Sequence, residues 1–277
     1  MTSTTETRAQ KTKANQQERL QLVRTLITEA NNGNQVARLS LIRLLNMAIA
    51  YHKTGKIEGL CSLDTACSNN NFCPRMQASE DPSCICKYCY TRSMWESAKF
   101  AHHITGEILS GIELTPEEAN LIAIPGLLFR FNSDGELINY THARNLIRIA
   151  ATHPATTFSL WTKRPGILNP IIIEERKPAN LICGVSSPAI NTPFRERWTW
   201  CDFIFTVYTP KGMLRALARG EHECNGKKCM DCNFYCYRHH DGPGPVYIAE
   251  ALRKPTSIKK SDFPKVIEAI DAATLDK

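Results

Sequence analysis

The spacing of apolar and polar positions divides this chain into a helical beginning and a long stretch of alternating strands and helices. From Gln16 to Ala30, Leu20, Val23, Leu26 and Ile27 recur at the spacing of one helix face. Asn31-Asn-Gly-Asn34 interrupts the pattern. A second helix is predicted from Gln35 to His52, carrying Val36, Leu39, Leu41, Ile42, Leu45, Met47 and Ile49. Residues 1–14 are polar and without period, which predicts a disordered tail. Residues 15–55 then read as a helical appendage.

Beyond residue 56 short apolar runs predict strands at Ile57–Leu63, Gly126–Phe131, Thr156–Thr162, Asn180–Ser186 and Asp202–Tyr208. Helices are predicted between several of them, at Met94–Leu109, Pro116–Ile122 and Tyr140–Thr152. Thr115-Pro-Glu-Glu118 is a strong helix start, with a capping hydroxyl, a proline in the first turn and acids at the positive end of the dipole. This alternation predicts an α/β fold, a partial (β/α) barrel of mostly parallel strands over residues 56–220. Length alone also permits a doubly wound sheet. Residues 221–277 read as a Cys-rich segment followed by a C-terminal helix. In parallel α/β folds chemistry gathers at the carboxyl ends of the strands. Polar runs fall there at Asn132–Glu136, Lys163-Arg-Pro165, Ser186-Ser187 and Thr209-Pro-Lys211.

Charge changes this picture little. The net charge is +7, and residues 1–60 hold nine Lys or Arg against four acids. Such a basic arm suits nucleic acid, and equally a solvated helix face. The chain starts with polar residues, and no stretch reaches the roughly 18 apolar residues of a membrane span. A cytoplasmic setting without membrane contact is therefore expected. No P-loop, dinucleotide fingerprint or zinc-protease motif is present.

Cysteine changes the picture most. Ten of twelve cysteines fall in two groups: Cys61, Cys67, Cys73, Cys84, Cys86 and Cys89, then Cys224, Cys229, Cys232 and Cys236. A chain of 277 residues can bury a core without disulfide staples, and reduced clusters of this kind bind metal. Cys86-Lys-Tyr-Cys89 is a CxxC whose turn points both sulfurs inward. Cys84 or Cys73 is the candidate third ligand. Cys224-x4-Cys229-x2-Cys232-x3-Cys236 supplies four thiolates, enough to close a zinc site or a fully ligated cluster. A single centre joining Cys229 and Cys232 to Cys86 and Cys89 is also compatible with the spacing. Cys183 and Cys201 read as small buried apolar residues. His102 and His103 read as surface or core residues, and His239 and His240, just past Cys236, as better ligand candidates. Lys163 and Arg164 read either as an anion site or as a solvated turn. Trp161, Trp198 and Trp200 read as core or pocket wall.

The runs Gly59-Leu-Cys-Ser-Leu-Asp-Thr65, Asn71-Phe-Cys-Pro74, Cys86-Lys-Tyr-Cys-Tyr90, Phe129-Arg-Phe-Asn-Ser-Asp-Gly-Glu-Leu-Ile-Asn139, Phe158-Ser-Leu-Trp-Thr-Lys163 and Cys229-Met-Asp-Cys232 resemble the phage and prophage family known as gene product 88. The resemblance covers about residues 55 to 255 and favours Cys73, Cys86 and Cys89 as the ligand set. That family in turn is similar to radical S-adenosylmethionine enzymes. This similarity implies a partial barrel, a [4Fe–4S] cluster on three cysteines and an external electron donor. It also implies an open iron that binds the amino and carboxylate groups of S-adenosylmethionine. Asp134-Gly135-Glu136 stands where such enzymes carry a Gly-Gly-Glu motif for the cofactor's amino group, with Asp134 in place of the first glycine; Lys163 is the further cofactor-site candidate. The expected function is an iron–sulfur enzyme with one or two clusters and an unassigned substrate. The alternative is a zinc-stapled binding protein, with zinc in the C-terminal site and nucleic acid as its partner.

Overall fold

The computed structural model describes residues 8–89, 100–224, 226, 228–232, 235–255 and 258–275. Helix α1 (Arg8–Asn31) begins six residues before the predicted end of the tail, and residues 1–7 lie outside the described part. Arg8-Ala-Gln-Lys-Thr-Lys-Ala14 has no apolar face, but its Ala, Gln, Lys and Arg are strong helix formers and extend the helix backwards. Helix α2 (Gln35–Ala48) starts on the Asn34 side chain, which accepts from the Val36 and Ala37 amides. It stops short of His52 because Ala50–Tyr51 forms an edge strand, β1, antiparallel to β2 (Cys61–Leu63). The chain between them turns back, with the His52 carbonyl accepting from the Gly59 amide, so β2 begins later than the predicted Ile57.

The remaining strands are β3 (Leu128–Phe131), β4 (Thr157–Thr162), β5 (Leu181–Ser186), β6 (Phe203–Tyr208), β7 (His222–Glu223) and β8 (Val246–Ala251). They form one eight-stranded sheet in the order β1-β2-β3-β4-β5-β6-β8-β7, parallel except at β1. The sheet is open and mostly parallel, within an α/β fold. Helices α3 (Phe72–Gln77), α4 (Phe100–Gly111), α5 (Pro116–Asn120), α6 (Tyr140–Thr152), α7 (Pro165–Glu175), α8 (Pro210–Ala218) and α9 (Phe263–Thr274) complete it. The predicted start of α4 at residues 94–99 lies outside the described residues. At α5 the Thr115 hydroxyl accepts from the Glu118 amide while Glu118 accepts from the Thr115 amide, the capping box that the sequence predicts.

The two faces of the sheet are covered differently. Phe129 and Phe131 of β3, Phe158 and Leu160 of β4 and Leu181, Cys183 and Val185 of β5 share one core with Leu41 and Leu45 of α2, Ile108 and Leu109 of α4 and Leu146 of α6. Val23 and Ala30 of α1 join it, so the N-terminal helices are built into the main core. On the other face, Ile182, Phe203, Phe205 and Ile248 pack with Trp161, Cys224, Tyr235 and Cys236. Alternate residues of one strand serve the two cores, as strand geometry requires. Cys183 and Cys201 are buried, and burial raises both thiols. Among the described residues no helix is long and apolar enough to cross a membrane.

Candidate functional site

All of the first cysteine group except Cys61, which opens β2, lies on the segment that follows the carboxyl end of that strand. Cys73 occupies the first turn of α3, its amide donating to Asn70 Oδ1 at 2.8 Å. Cys86 sits in a 3-10 turn, Ile85–Tyr88, whose last carbonyls turn the chain so that the Cys89 amide donates to Cys86 O at 3.3 Å. All three thiols lie within electrostatic reach of one cation, Lys163. Burial by itself lowers the pKa of the Lys163 ammonium, but Cys86, Glu136, Cys89 and Cys73 outweigh it and hold it above the ordinary lysine value. Burial pushes the Cys86 thiol up to about 12 against the pull of Lys163. A hydrogen bond with Cys67, followed by burial, raises Cys73 far above the thiol range. Cys67 is therefore a neighbour of Cys73 that the family resemblance did not select. Cys84 points elsewhere: its thiol donates to Met76 O at 3.1 Å. Cys61 packs against the helix-side core.

The Asp134-Gly135-Glu136 loop is held from several sides. Glu136 accepts from the Thr162 hydroxyl at 2.5 Å, the Lys163 amide at 2.7 Å and the Leu137 amide at 2.8 Å. Its carboxylate thus ties the end of β3 to the end of β4 and retains about one of its four acceptor sites. Gly135 has φ +83°, and a Cβ there would lie 2.2 Å from Thr65 O. Only glycine allows this loop to lie so close against the β2 end. Asp134 is buried and turns its carboxylate toward His102, 4.0 Å from Nδ1. Arg164 donates from its guanidinium to the Leu137 and Ile138 carbonyls and braces the same loop. Behind it His142 accepts from the Ile138 amide at 3.2 Å, and burial lowers its pKa to about 3.

The second cysteine group lies against the open face of the sheet. The Cys224 amide donates to Ala249 O, and the Cys229 amide to Lys56 O, both at 2.7 Å. Cys236 lies in the 3-10 turn Tyr235–Tyr237. Burial raises Cys229 and pushes Cys236 up to about 12; Arg130 opposes both shifts, and Lys56 opposes that of Cys229. The thiols that act on Cys236 are Cys224, Cys229 and Cys232, whereas those that act on Cys86 are Cys84 and Cys89. Arg130 lies 4.1 Å from the Trp161 ring centroid, and Trp161 packs on Phe203 and Phe205.

The histidines depart from the sequence reading. His239 is engaged at both ring nitrogens, with Asp202 Oδ1 at 2.8 Å and Ala179 O at 2.6 Å, and His240 contacts Tyr235 O at 3.1 Å. His102 is the one drawn into a polar cluster: Asp64, His102 and Asp134, all buried, offer ligand atoms within 4.8 Å of one another. Sequence reasoning missed Asp64 and His102 because they are 38 residues apart and only the fold unites them. A cleft of about 140 Å³ before the amino ends of β6 and β8 is lined by Thr199, Cys201, Asp202 and His240. No protein-family model, curated protein or solved structure matches the chain.

Proposed function

We propose that this chain is an iron–sulfur enzyme whose open [4Fe–4S] site is held by Cys73, Cys86 and Cys89 and whose second, closed site is held by Cys224, Cys229, Cys232 and Cys236. The observation that carries this reading is the gathering of Cys73, Cys86, Cys89 and Glu136 within electrostatic reach of the Lys163 ammonium, at the carboxyl edge of a parallel sheet. A cysteine-ligated cluster is anionic, and Lys163 at one site and Arg130 with Lys56 at the other offset such charge.

When bound, such a cluster with one open iron offers S-adenosylmethionine a binding position and an electron for its cleavage. Glu136 has acceptor capacity for one more donor such as the cofactor's ammonium, and its three hydrogen bonds fix its orientation. Asp134, turned toward His102, does not serve that role. The in-order strand sequence from β2 to β6 supports a partial (β/α) barrel. An external donor would supply the electron.

Against the nucleic-acid alternative, several cations of the basic arm are already paired: Arg24 with Glu107, Arg38 with Glu118 and Lys56 with Glu250. The test is anaerobic purification followed by iron, zinc and acid-labile sulfide analysis. Two clusters predict brown protein with about eight iron and eight sulfide per chain. Colourless protein with stoichiometric zinc and no sulfide overturns the reading. S-adenosylmethionine cleavage by the reduced protein, lost in Cys89→Ala, tests the enzymatic part.

A further inference from the structure

Three buried side chains beside the Cys73, Cys86 and Cys89 group contain no sulfur and have a separate chemistry. Asp64 directly follows β2, Asp134 lies in the loop after β3, and His102 is in the first turn of α4. His102 Nε2 lies 3.9 Å from Asp64 Oδ2, and His102 Nδ1 lies 4.0 Å from Asp134 Oδ2. These separations are too long for hydrogen bonds. One imidazole gives an ion one nitrogen, and with a single atom from each residue the three ligand atoms lie within 4.8 Å of one another, wider than the roughly 3 to 3.5 Å around an ion bound at about 2.0–2.2 Å, so a bound ion would draw them together.

The surrounding contacts orient the ligands. Asp64 Oδ1 accepts from the Ser133 amide at 2.6 Å, the Ser133 hydroxyl at 2.7 Å and the Asp134 amide at 3.2 Å. Oδ2 accepts from the Ser62 hydroxyl at 2.5 Å, and Ser62 is held in turn by His52 Nε2 at 2.7 Å. The remaining acceptor capacity of Asp64 is therefore on Oδ2, the oxygen nearest His102. Ligating carboxylates in metal sites are braced in this way. A second observation is independent of the three. Asn132, one position beyond the Leu63–Phe131 pair in the strand register and so alongside Asp64, is 5% exposed. It has φ +52°, and both its amide atoms are buried without a hydrogen-bond partner. Buried amides are nearly always partnered, so this corner of the fold carries polar capacity beyond what the protein itself consumes.

We propose that Asp64, His102 and Asp134 form a binding site for a divalent first-row cation. Two carboxylates and an imidazole suit Mn²⁺, Fe²⁺ or Zn²⁺ and do not suit an iron–sulfur cluster. The site does not depend on the cysteine reading and would persist if that reading failed. The test is a titration of the full-length protein, stripped with a chelator, with Mn²⁺ followed by electron paramagnetic resonance. One Mn²⁺ per chain is expected, with ¹⁴N modulation from a single imidazole. Asp64→Asn should weaken binding at least tenfold, Asp134→Asn similarly, and His102→Gln should abolish the ¹⁴N signal. Cys73→Ser/Cys86→Ser/Cys89→Ser should still bind one Mn²⁺, separating this site from the thiols. No binding by the wild-type chain at millimolar Mn²⁺, or equal binding by folded Asp64→Asn and Asp134→Asn, overturns the proposal and leaves His102 as a charge bridge between two aspartates.

Discussion

The two cysteine groups meet the same sheet in opposite ways. The first stands at the ends of its strands, where three thiols share one lysine and the neighbouring loop is locked by Glu136, Arg164 and His142. The second lies across a face, where Arg130 acts on Cys229 and Cys236, Lys56 interacts with Cys224 and Cys229, and the segment carrying them covers an apolar patch of Trp161, Phe203 and Phe205. Each group contains a CxxC, so local spacing does not separate them. Their location does. Strand ends present polar loops and unpaired backbone to a ligand, whereas a sheet face presents side chains to pack. The first arrangement suits binding and chemistry, the second a clamp that fastens the chain between β7 and β8 onto the sheet.

The most direct way to break this comparison is to remove one thiol at a time. Cys86→Ala or Cys89→Ala is expected to lose about half of roughly eight irons and to leave the fold intact. Cys229→Ala or Cys236→Ala should lose the other half and also lower the thermal midpoint, because a closed metal site contributes folding energy. Cys61→Ala should keep all of the iron, since Cys61 packs on the helix side. Iron and sulfide assays with thermal denaturation read these outcomes. If any single substitution removes all the iron, the two groups form one centre and the comparison fails.

A second test perturbs only the strand-end loop. Gly135→Ala introduces a Cβ 2.2 Å from Thr65 O at a φ of +83°. Backbone strain and overpacking together are expected to cost about 3 kcal/mol, measured by urea unfolding. The strand-end iron should fall with it while the four-cysteine site remains loaded. A fully stable variant would mean that the loop can move away from β2.

The same contrast bears on what sequence alone discloses. The five predicted strands all appear, because parallel strands covered on both faces form apolar runs that local reading detects. The α6 boundaries, Tyr140 to Thr152, appear as predicted because Asn139 caps the first turn. Helix α7 was missed: Pro165 and Pro170 fall in it and hide a helix that starts on the first proline and accommodates the second. Strand β8 was missed because Val246–Ala251 is a short run after a Gly-Pro-rich turn. The division of the thiols into two groups is visible in their spacing alone. The Asp64–His102–Asp134 cluster is not visible there, because its members come from three separate elements.

Acid is expected to weaken the strand-end region through His142. Its buried imidazole has a pKa of about 3, below the ordinary 6.5, so the folded chain keeps it neutral where the unfolded chain takes up a proton. The stabilisation is complete above pH 6.5 and is lost as pH falls toward 3, at about 1.4 kcal/mol per pH unit. By pH 5 the loss is about 2 kcal/mol. His142→Gln should flatten this part of the stability profile. An unchanged slope in that variant would assign the acid sensitivity to other groups.

The smallest expected effect gives the sharpest separation of the two regions. Arg130 opposes the rise of the Cys229 and Cys236 thiols, and no cysteine of the first group has it among its influences at Cys73 or Cys86. Arg130→Leu removes that charge and its contact with Trp161, a loss of about 1 kcal/mol. In metal-free, reduced protein, the pH at which Cys236 is alkylated should therefore move upward. Cys86, whose opposing cation is Lys163, should react as before. Lys163→Met should give the reverse pattern, raising Cys86 and leaving Cys236 unmoved. Mass-spectrometric mapping of alkylation across a pH series measures both at once. If either substitution shifts both thiols equally, a single field covers them, and the division between strand-end site and face clamp is not electrostatic.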